Sequence, residues 1–278
     1  MTIPESHHEL ENGSRATTPD GDNLQLDFTR ADAAAFAALA IAAGGRVEHD
    51  HRLGLTMTDA ASPCPFGNVA HLCRPLAAEE TPALMRGLRG FYGQASGAGP
   101  YIVFSAWPTA DLAGDGLLLG GHPPLMVRPP GPFASDRFER PADSLRILEV
   151  ADAQQLEDFE RVMVEAYPAA ELLPFGSRPR LFGEGLIGSA WKMFVGYEGD
   201  TPVATAAGYV TDALVGIEMV SNRQECRGRG YGAAITAAAV RAAGDVPAVL
   251  ISSDLGNRVY RRLGFIPVLR YTLWIGTR

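Results

Sequence analysis

The spacing of apolar positions changes along this chain, and each change marks an element. In the second half, SLRILEV (144–150) reads as a strand and DAQQLEDFERVMVEAYP (152–168) as a helix that Pro168 ends. WKMFVGYEGDTPVATAAGYVTD (191–212) is two strands around the turn signal EGDTP, and LVGIEMVS (214–221) adds a third strand to that meander. A helix from about Tyr231 to Ala243 is stopped by Gly244. PAVLISSD (247–254) is a nearly continuous apolar run, the pattern of a strand buried on both faces. NRVYRRLGF (257–265) predicts a short helix and IPVLRYTLWIG (266–276) the last strand or strands. The order is β-α-(α)-β-β-β-α-β-α-β, with the bracketed helix placed in AAELLPFGSRPRLFGEGLIG (169–188).

The first half echoes this order. RADAAAFAALAIAAG (30–44) predicts a helix, and VEHDHRLGLTMTDA (47–60) and NVAHLCRPL (68–76) predict strands. AEETPALMRGLRGFYGQ (78–94) is a helix with acids in its first turn, and YIVFSAWP (101–108) is a buried strand. GGHPPLMVRP (120–129) falls where the second half has LGFIPVLRYTLW. The likeness lies in element order and points to internal duplication. The Pro-rich stretch 127–143 can hold neither a long helix nor a central strand. The expected division is a disordered tail (1–23), a first domain (24–127), a linker (128–143) and a second domain (144–278).

Composition narrows the function. The 278 residues are 46% hydrophobic and 20% charged, enough to bury a sizeable core. The net charge of −8 disfavours general nucleic-acid binding, whose affinity comes from cations on phosphates. Three cysteines without a CxxC pair argue against a disulfide framework or zinc site and for a cytoplasmic protein. No apolar run is long enough to span a bilayer, so no membrane partner is expected. His49-Asp50-His51 lacks a third ligand and reads as a polar strand end, so no metal is expected.

The chemistry concentrates in NRQECRGRGYGAAITAAAVRAAG (222–244), where two arginines and three glycines crowd a helix start. That start leaves N–H groups unpaired at the positive end of the helix dipole. Glycines let the backbone close on one anion, so a phosphate or pyrophosphate is the natural ligand. A plain turn with solvated arginines is one alternative. A dinucleotide fingerprint is another, since Gly228, Gly230 and Ala233 match G-x-G-x-x-A with Asp254 further on. Against it, NRQECR separates the strand from Gly228, an antiparallel meander precedes the helix, and only 24 residues follow Asp254.

Arg227-x-x-Gly230-x-Gly232 also resembles the R/Q-x-x-G-x-G/A signature of the GNAT superfamily, the acetyl-CoA-dependent N-acetyltransferases. LVGIEMVSNRQECRGRGYGAAI looks like that family's fourth strand, pyrophosphate loop and third helix. AVLISSDLGNRVYRRLGF looks like its fifth strand and fourth helix. The family often carries Pro three residues before the Arg, where this chain has Gln224. The resemblance covers about residues 144–278. It implies an α/β (mixed α+β) fold, a mostly antiparallel sheet flanked by helices, with a degenerate copy in the first half.

It further implies that main-chain N–H groups from Arg227 through Gly228, Arg229, Gly230, Tyr231 and Gly232 to Ala233 hold the pyrophosphate of acetyl-CoA. The fourth strand would bulge and splay from the fifth, pairing the pantetheine arm with Met219, Val220, Ser221 and Asn222, while Asn257 bonds the same arm. Tyr260 is the expected acid for the leaving thiolate and Glu218 the best candidate base, with a water chain as its competitor. Alternation along β structure puts Glu218 and Val220 on one face. No histidine of the second half can serve, because all six lie in the first. Cys226 reads as a filler. The expected activity is acetyl transfer to a primary amine of a small molecule or peptide by direct attack, in a monomer or homodimer. The alternative is a non-catalytic acyl-CoA-binding sensor or scaffold. The first half lacks the signature and has Glu79 and Glu80 in its place, which would repel a pyrophosphate.

Overall fold

The computed structural model describes residues 24–94, 99–133, 144–167 and 169–278. The tail 1–23, most of the expected linker (134–143) and Pro168 lie outside the described residues. The first half runs α1 (Leu24–Ala42), β1 (Arg46–Asp50), β2 (Leu55–Asp59), β3 (Asn68–Leu72), α2 (Thr81–Tyr92), β4 (Tyr101–Ser105), β5 (Leu118–Gly121) and β6 (Pro124–Arg128). The second runs β7 (Arg146–Glu149), α3 (Ala153–Ala166), β8 (Trp191–Glu198), β9 (Thr201–Val210), β10 (Val215–Asn222), α4 (Tyr231–Arg241), β11 (Ala248–Ile251), α5 (Asp254–Arg262), β12 (Ile266–Arg270) and β13 (Thr272–Gly276). One expected helix is missing. Between α3 and β8 the described chain forms only the 3-10 turns Ala170–Leu172 and Glu184–Leu186. Pro174 and Pro179, with Gly176 at φ +85°, break any longer helical run there.

The strands form two mixed sheets in which only β3–β4 and β10–β11 pair in parallel. Their membership differs from a simple cut of the chain near residue 128. The six-stranded sheet is ordered β1-β2-β3-β4-β13-β5 and the seven-stranded sheet β12-β6-β11-β10-β9-β8-β7. Strand β6 of the first half thus lies between β11 and β12, with Leu125 opposite Ile251 and Val127 opposite Ile266. Reciprocally, β13 lies between β4 and β5, with Trp274 opposite Val103. Connector length explains the exchange. Tyr271 alone separates β12 from β13, too short for a two-residue hairpin. His122-Pro123 separates β5 from β6, and proline's fixed negative φ cannot enter the primed turns a tight hairpin uses. Each pair therefore continues forward out of one sheet and into the other.

Period-2 alternation places residues on opposite sheet faces. Tyr101 and Val103 of β4 join the core beneath α2, while Ile102 and Phe104 join the central core. On β8, Trp191, Met193 and Val195 point to that central core and Phe194 points to α4. The central core draws α1 from the first half and α3 from the second between the two sheets. Helix α1 touches both: Ala35 O accepts from the indole N–H of Trp191 at 3.3 Å, and Thr29 Oγ1 bonds Tyr271 Oη at 2.6 Å. Among the described residues, no helix is long and apolar enough to cross a membrane.

Candidate functional site

The site begins with an irregularity in β10. Against β9 its register runs regularly from Val215 to Glu218 and then jumps to Ser221. That is a β-bulge, with Met219 at φ +52° and its carbonyl held by Thr205 Oγ1 at 3.0 Å. The bulge breaks the expected alternation. Met219 joins the central core and Val220 the core under α4, so Glu218 and Val220 do not share a face. On its other edge β10 pairs with β11 only at Val215 and Gly216. Beyond that point the two strands part, and the β10 backbone facing β11 loses its partner.

Helix α4 begins beside the parted strands. Gly228 and Gly230 adopt φ +80° and +86°, conformations that cost side-chain-bearing residues most and glycine least. Among the described residues, the N–H groups of Gly228, Arg229, Gly230 and Tyr231 have no protein acceptor. The expected set was wider. The Arg227 N–H bonds Gln224 O, the Ala233 N–H bonds Gly230 O, and the Gly232 N–H bonds the Asn222 amide oxygen at 2.9 Å. A Cβ on Gly232 would meet that amide at 2.7 Å, so any side chain there would push the Asn222 amide off this bond. The two arginines also separate in role. Arg227 stands at the rim, whereas Arg229 is spent on Glu198 of β8 at 2.8 Å.

Between the parted strands opens a cavity of about 370 Å³. Its walls are Ala166 and Tyr167 at the end of α3, Val220, Ser221 and Asn222 of β10, Arg227, Gly228 and Gly232 at the α4 mouth, and Ser253, Gly256, Val259 and Tyr260 around α5. Ser221 Oγ is buried there without a hydrogen-bond partner. Tyr260 leans back along its own helix, and a Cβ on Gly256 would lie 2.6 Å from its ring. Asn257 is not among the wall residues; it donates to Met126 Sδ at 3.5 Å and accepts from Arg261 Nε at 2.7 Å.

Two phenols share the inner end. Burial raises the pKa of both Tyr260 and Tyr167, and the nearby Glu218 carboxyl raises both further. Tyr167 carries no recognisable sequence signal, since only the fold brings the end of α3 against α5. It packs edge-on to Phe66 of the first half at 4.9 Å. Glu218 itself lies behind the phenols on the α1 side of the sheet. Burial pushes its carboxyl well above the usual range, and contact with the Asp32 carboxyl of α1 pushes it further. Asp32 Oδ2 in turn lies 2.8 Å from His71 Nε2 of β3, and both side chains are buried. A histidine of the first half thus reaches the site after all. Asp32 had a faint signal: it stands four residues from Phe28 and from Phe36, on the apolar stripe of α1.

Elsewhere, Cys226 is buried with its Sγ 3.9 Å from Glu198 Oε2, outside the cavity walls. His49 and His51 stack at 6.2 Å, and among the described residues no group of three His, Cys, Asp or Glu could hold a metal ion.

No family model and no curated protein matches this sequence. Solved structures do. A GCN5-related N-acetyltransferase from Kribbella flavida is 20% identical with a TM-score of 0.61, over 88% of this chain and 95% of that one. A functionally unknown conserved protein from Staphylococcus epidermidis is 15% identical at the same TM-score, over 84% and 94%. A tandem GNAT protein from the clavulanic acid biosynthesis pathway is 13% identical with a TM-score of 0.52, over 80% and 78%. These likenesses span both halves, and with the bulged, parted strands and the glycine-lined helix mouth they establish that this chain has the GNAT fold, in a two-domain arrangement.

Proposed function

We propose that this protein transfers an acetyl group from acetyl-CoA to a primary amine of a small molecule or peptide. The observation that carries this reading is the cleft itself: β10 leaves β11 after two residue pairs, and beside the opening that Gly228 lines stand four unspent amides at the positive end of α4. The amides of Gly228 to Tyr231 would hold a diphosphate. The free edge of Met219–Asn222 can pair with an amide-bearing arm as a neighbouring strand would, and the orphaned Ser221 hydroxyl offers it one more bond. Backbone N–H groups at the bulge would polarise the thioester carbonyl.

Glu218 takes a proton from the incoming ammonium, which frees the nitrogen lone pair to attack. Collapse of the tetrahedral adduct breaks the carbon–sulfur bond, and the leaving thiolate takes its proton from Tyr260. Burial keeps that phenol protonated at neutral pH, which makes it a standing proton reserve. Tyr167, the second phenol at the same end, is a candidate to orient the amine.

Titration calorimetry with coenzyme A and thiol release across a panel of primary amines test the reading together. Coenzyme A should bind, at least one amine should release thiol, and Tyr260→Phe should lower kcat about 10²-fold with coenzyme A affinity unchanged. Binding without turnover on any amine would favour the sensor or scaffold alternative. Absence of binding would end both.

A further inference from the structure

The Glu218 carboxyl and the Asp32 carboxyl meet in the interior, and no arginine or lysine pairs with either among the described residues. Asp32 Oδ1 is fully buried and meets no N–H or O–H donor, while Oδ2 takes the His71 ring. Two carboxylates cannot stay in contact there with both charges intact, and neither can hydrogen-bond the other unless one holds a proton. The remaining groups around Glu218 are phenols: Tyr167 at the end of α3, Tyr260 on α5 and Tyr271 between β12 and β13. Burial raises all three. Behind Asp32 stand His71, Cys73 and, further off, Arg30. His71 is clamped between Phe36 and Phe104, with ring centroids at 5.6 and 5.7 Å.

We propose that Asp32 and His71 of the first half complete the base of the second half: Asp32 is a positioning residue that shares one proton with Glu218, and His71 fixes Asp32 in place. This rests on the role given to Glu218 above. With one shared proton the pair carries a single negative charge, and no arginine or lysine is bonded to it among the described residues. That charge selects a cationic amine as acceptor. When an N–H bond of the ammonium breaks and an O–H bond forms on Glu218, the cation and the anion both become neutral, which the desolvated site favours. The second proton leaves the nitrogen after attack and restores the Tyr260 phenol that protonated the thiolate, and the proton on the carboxyl pair passes to solvent. In this arrangement the first half, which lacks the phosphate loop, supplies the acid–base tuning.

Infrared difference spectroscopy reads the shared proton without turnover. The wild type at neutral pH should show a protonated-carboxyl band that both E218Q and D32N remove; a spectrum without that band overturns the proposal. The pH profile of kcat/KM reads its consequence. The shared proton steadies the single charge against taking a second one; Asp32→Asn keeps the shape but has no carboxyl proton to share, so the acid limb should move up by about one pH unit. Coenzyme A affinity should stay unchanged. An unmoved limb in D32N, with E218Q still losing about 10²-fold, overturns the Asp32 role and leaves the base intact. Wild-type rates in E218Q overturn the base and the proposal with it. Should D32N not fold, the E218Q infrared difference decides alone: loss of the band supports the shared proton, and its persistence excludes it.

Discussion

Each half of this molecule contains one parallel strand pair joined through a helix, and only one of the two pairs opens. In the first half β3 and β4 stay paired over four consecutive residues, from Val69 opposite Ile102 to Leu72 opposite Ser105. Strand β3 is equally regular against β2. In the second half β10 bulges at Met219 and leaves β11 after Gly216. The helix mouths differ in the same sense. At α2 the Glu80 carboxylate accepts from the Ala77 N–H at 3.0 Å and grips Arg74 at 2.6 Å, so the protein's own anion occupies the mouth. At α4 three glycines stand where those groups would be, and the amides are left unspent. One extra residue in a strand and one set of glycines thus separate a closed structural copy from an open cleft.

The first way to sharpen that contrast tests whether the halves are energetically separate. Arg278, just after β13, donates to Asp59 of β2 at 2.7 and 3.0 Å, with both side chains buried. Arg278→Ala strips the buried carboxylate of its two short charged hydrogen bonds, leaving Arg46 at 3.4 Å and the Ala61 N–H, and should cost about 3 kcal/mol in chemical denaturation. Burial alone would raise the Asp59 pKa, but the hydrogen bonds from Arg278 and the Ala61 N–H and the arginine charges hold it below the usual value. Its contribution is therefore present above the unfolded aspartate pKa and lost as pH falls through the lowered one. The acid-side decline of Tm should flatten in the variant. If the exchanged strands couple the two sheets, a single cooperative transition should move as a whole.

A smaller effect is expected at the open mouth. Gly230→Val puts a β-branched residue at φ +86°, and coenzyme A affinity should fall about a hundredfold by calorimetry. The smallest belongs to the closed mouth. Glu80 is held at about 2 by its hydrogen bond from Arg74, and its capping contact is exposed to solvent. Glu80→Gln should leave the denaturation midpoint nearly unchanged and coenzyme A binding untouched. A change in affinity there would mean that the first half also takes part in binding the nucleotide.

Most elements were legible in the sequence, because hydrophobic period and turn residues are local. The near-continuous run AVLI announced a strand covered on both faces, and Gly228, Gly230 and Gly232 announced a helix start built for an anion. Three features were not legible. The exchange of β6 and β13 depends on connectors of two residues and one, which look like ordinary strand continuation. The position of the bulge, which the family resemblance implied for this strand, leaves no mark in LVGIEMVS, so period-2 alternation misassigned the relation of Glu218 to Val220. Asn257 has the spacing of a cavity residue, yet its amide turns to Met126 and Arg261.

The sequence by itself determined the helix and strand order, the glycine turn at the α4 mouth and the absence of that turn from the first half, since each rests on backbone preferences a few residues wide. Only the tertiary structure decided that Asp32, His71 and Glu218 form one cluster. Their positions lie 39 to 186 residues apart, and their meeting follows from α1 packing between two sheets that trade strands. Burying carboxylates against each other is costly in any local segment, so no local pattern could announce it; it persists here because the surrounding core holds both helix and strand in place.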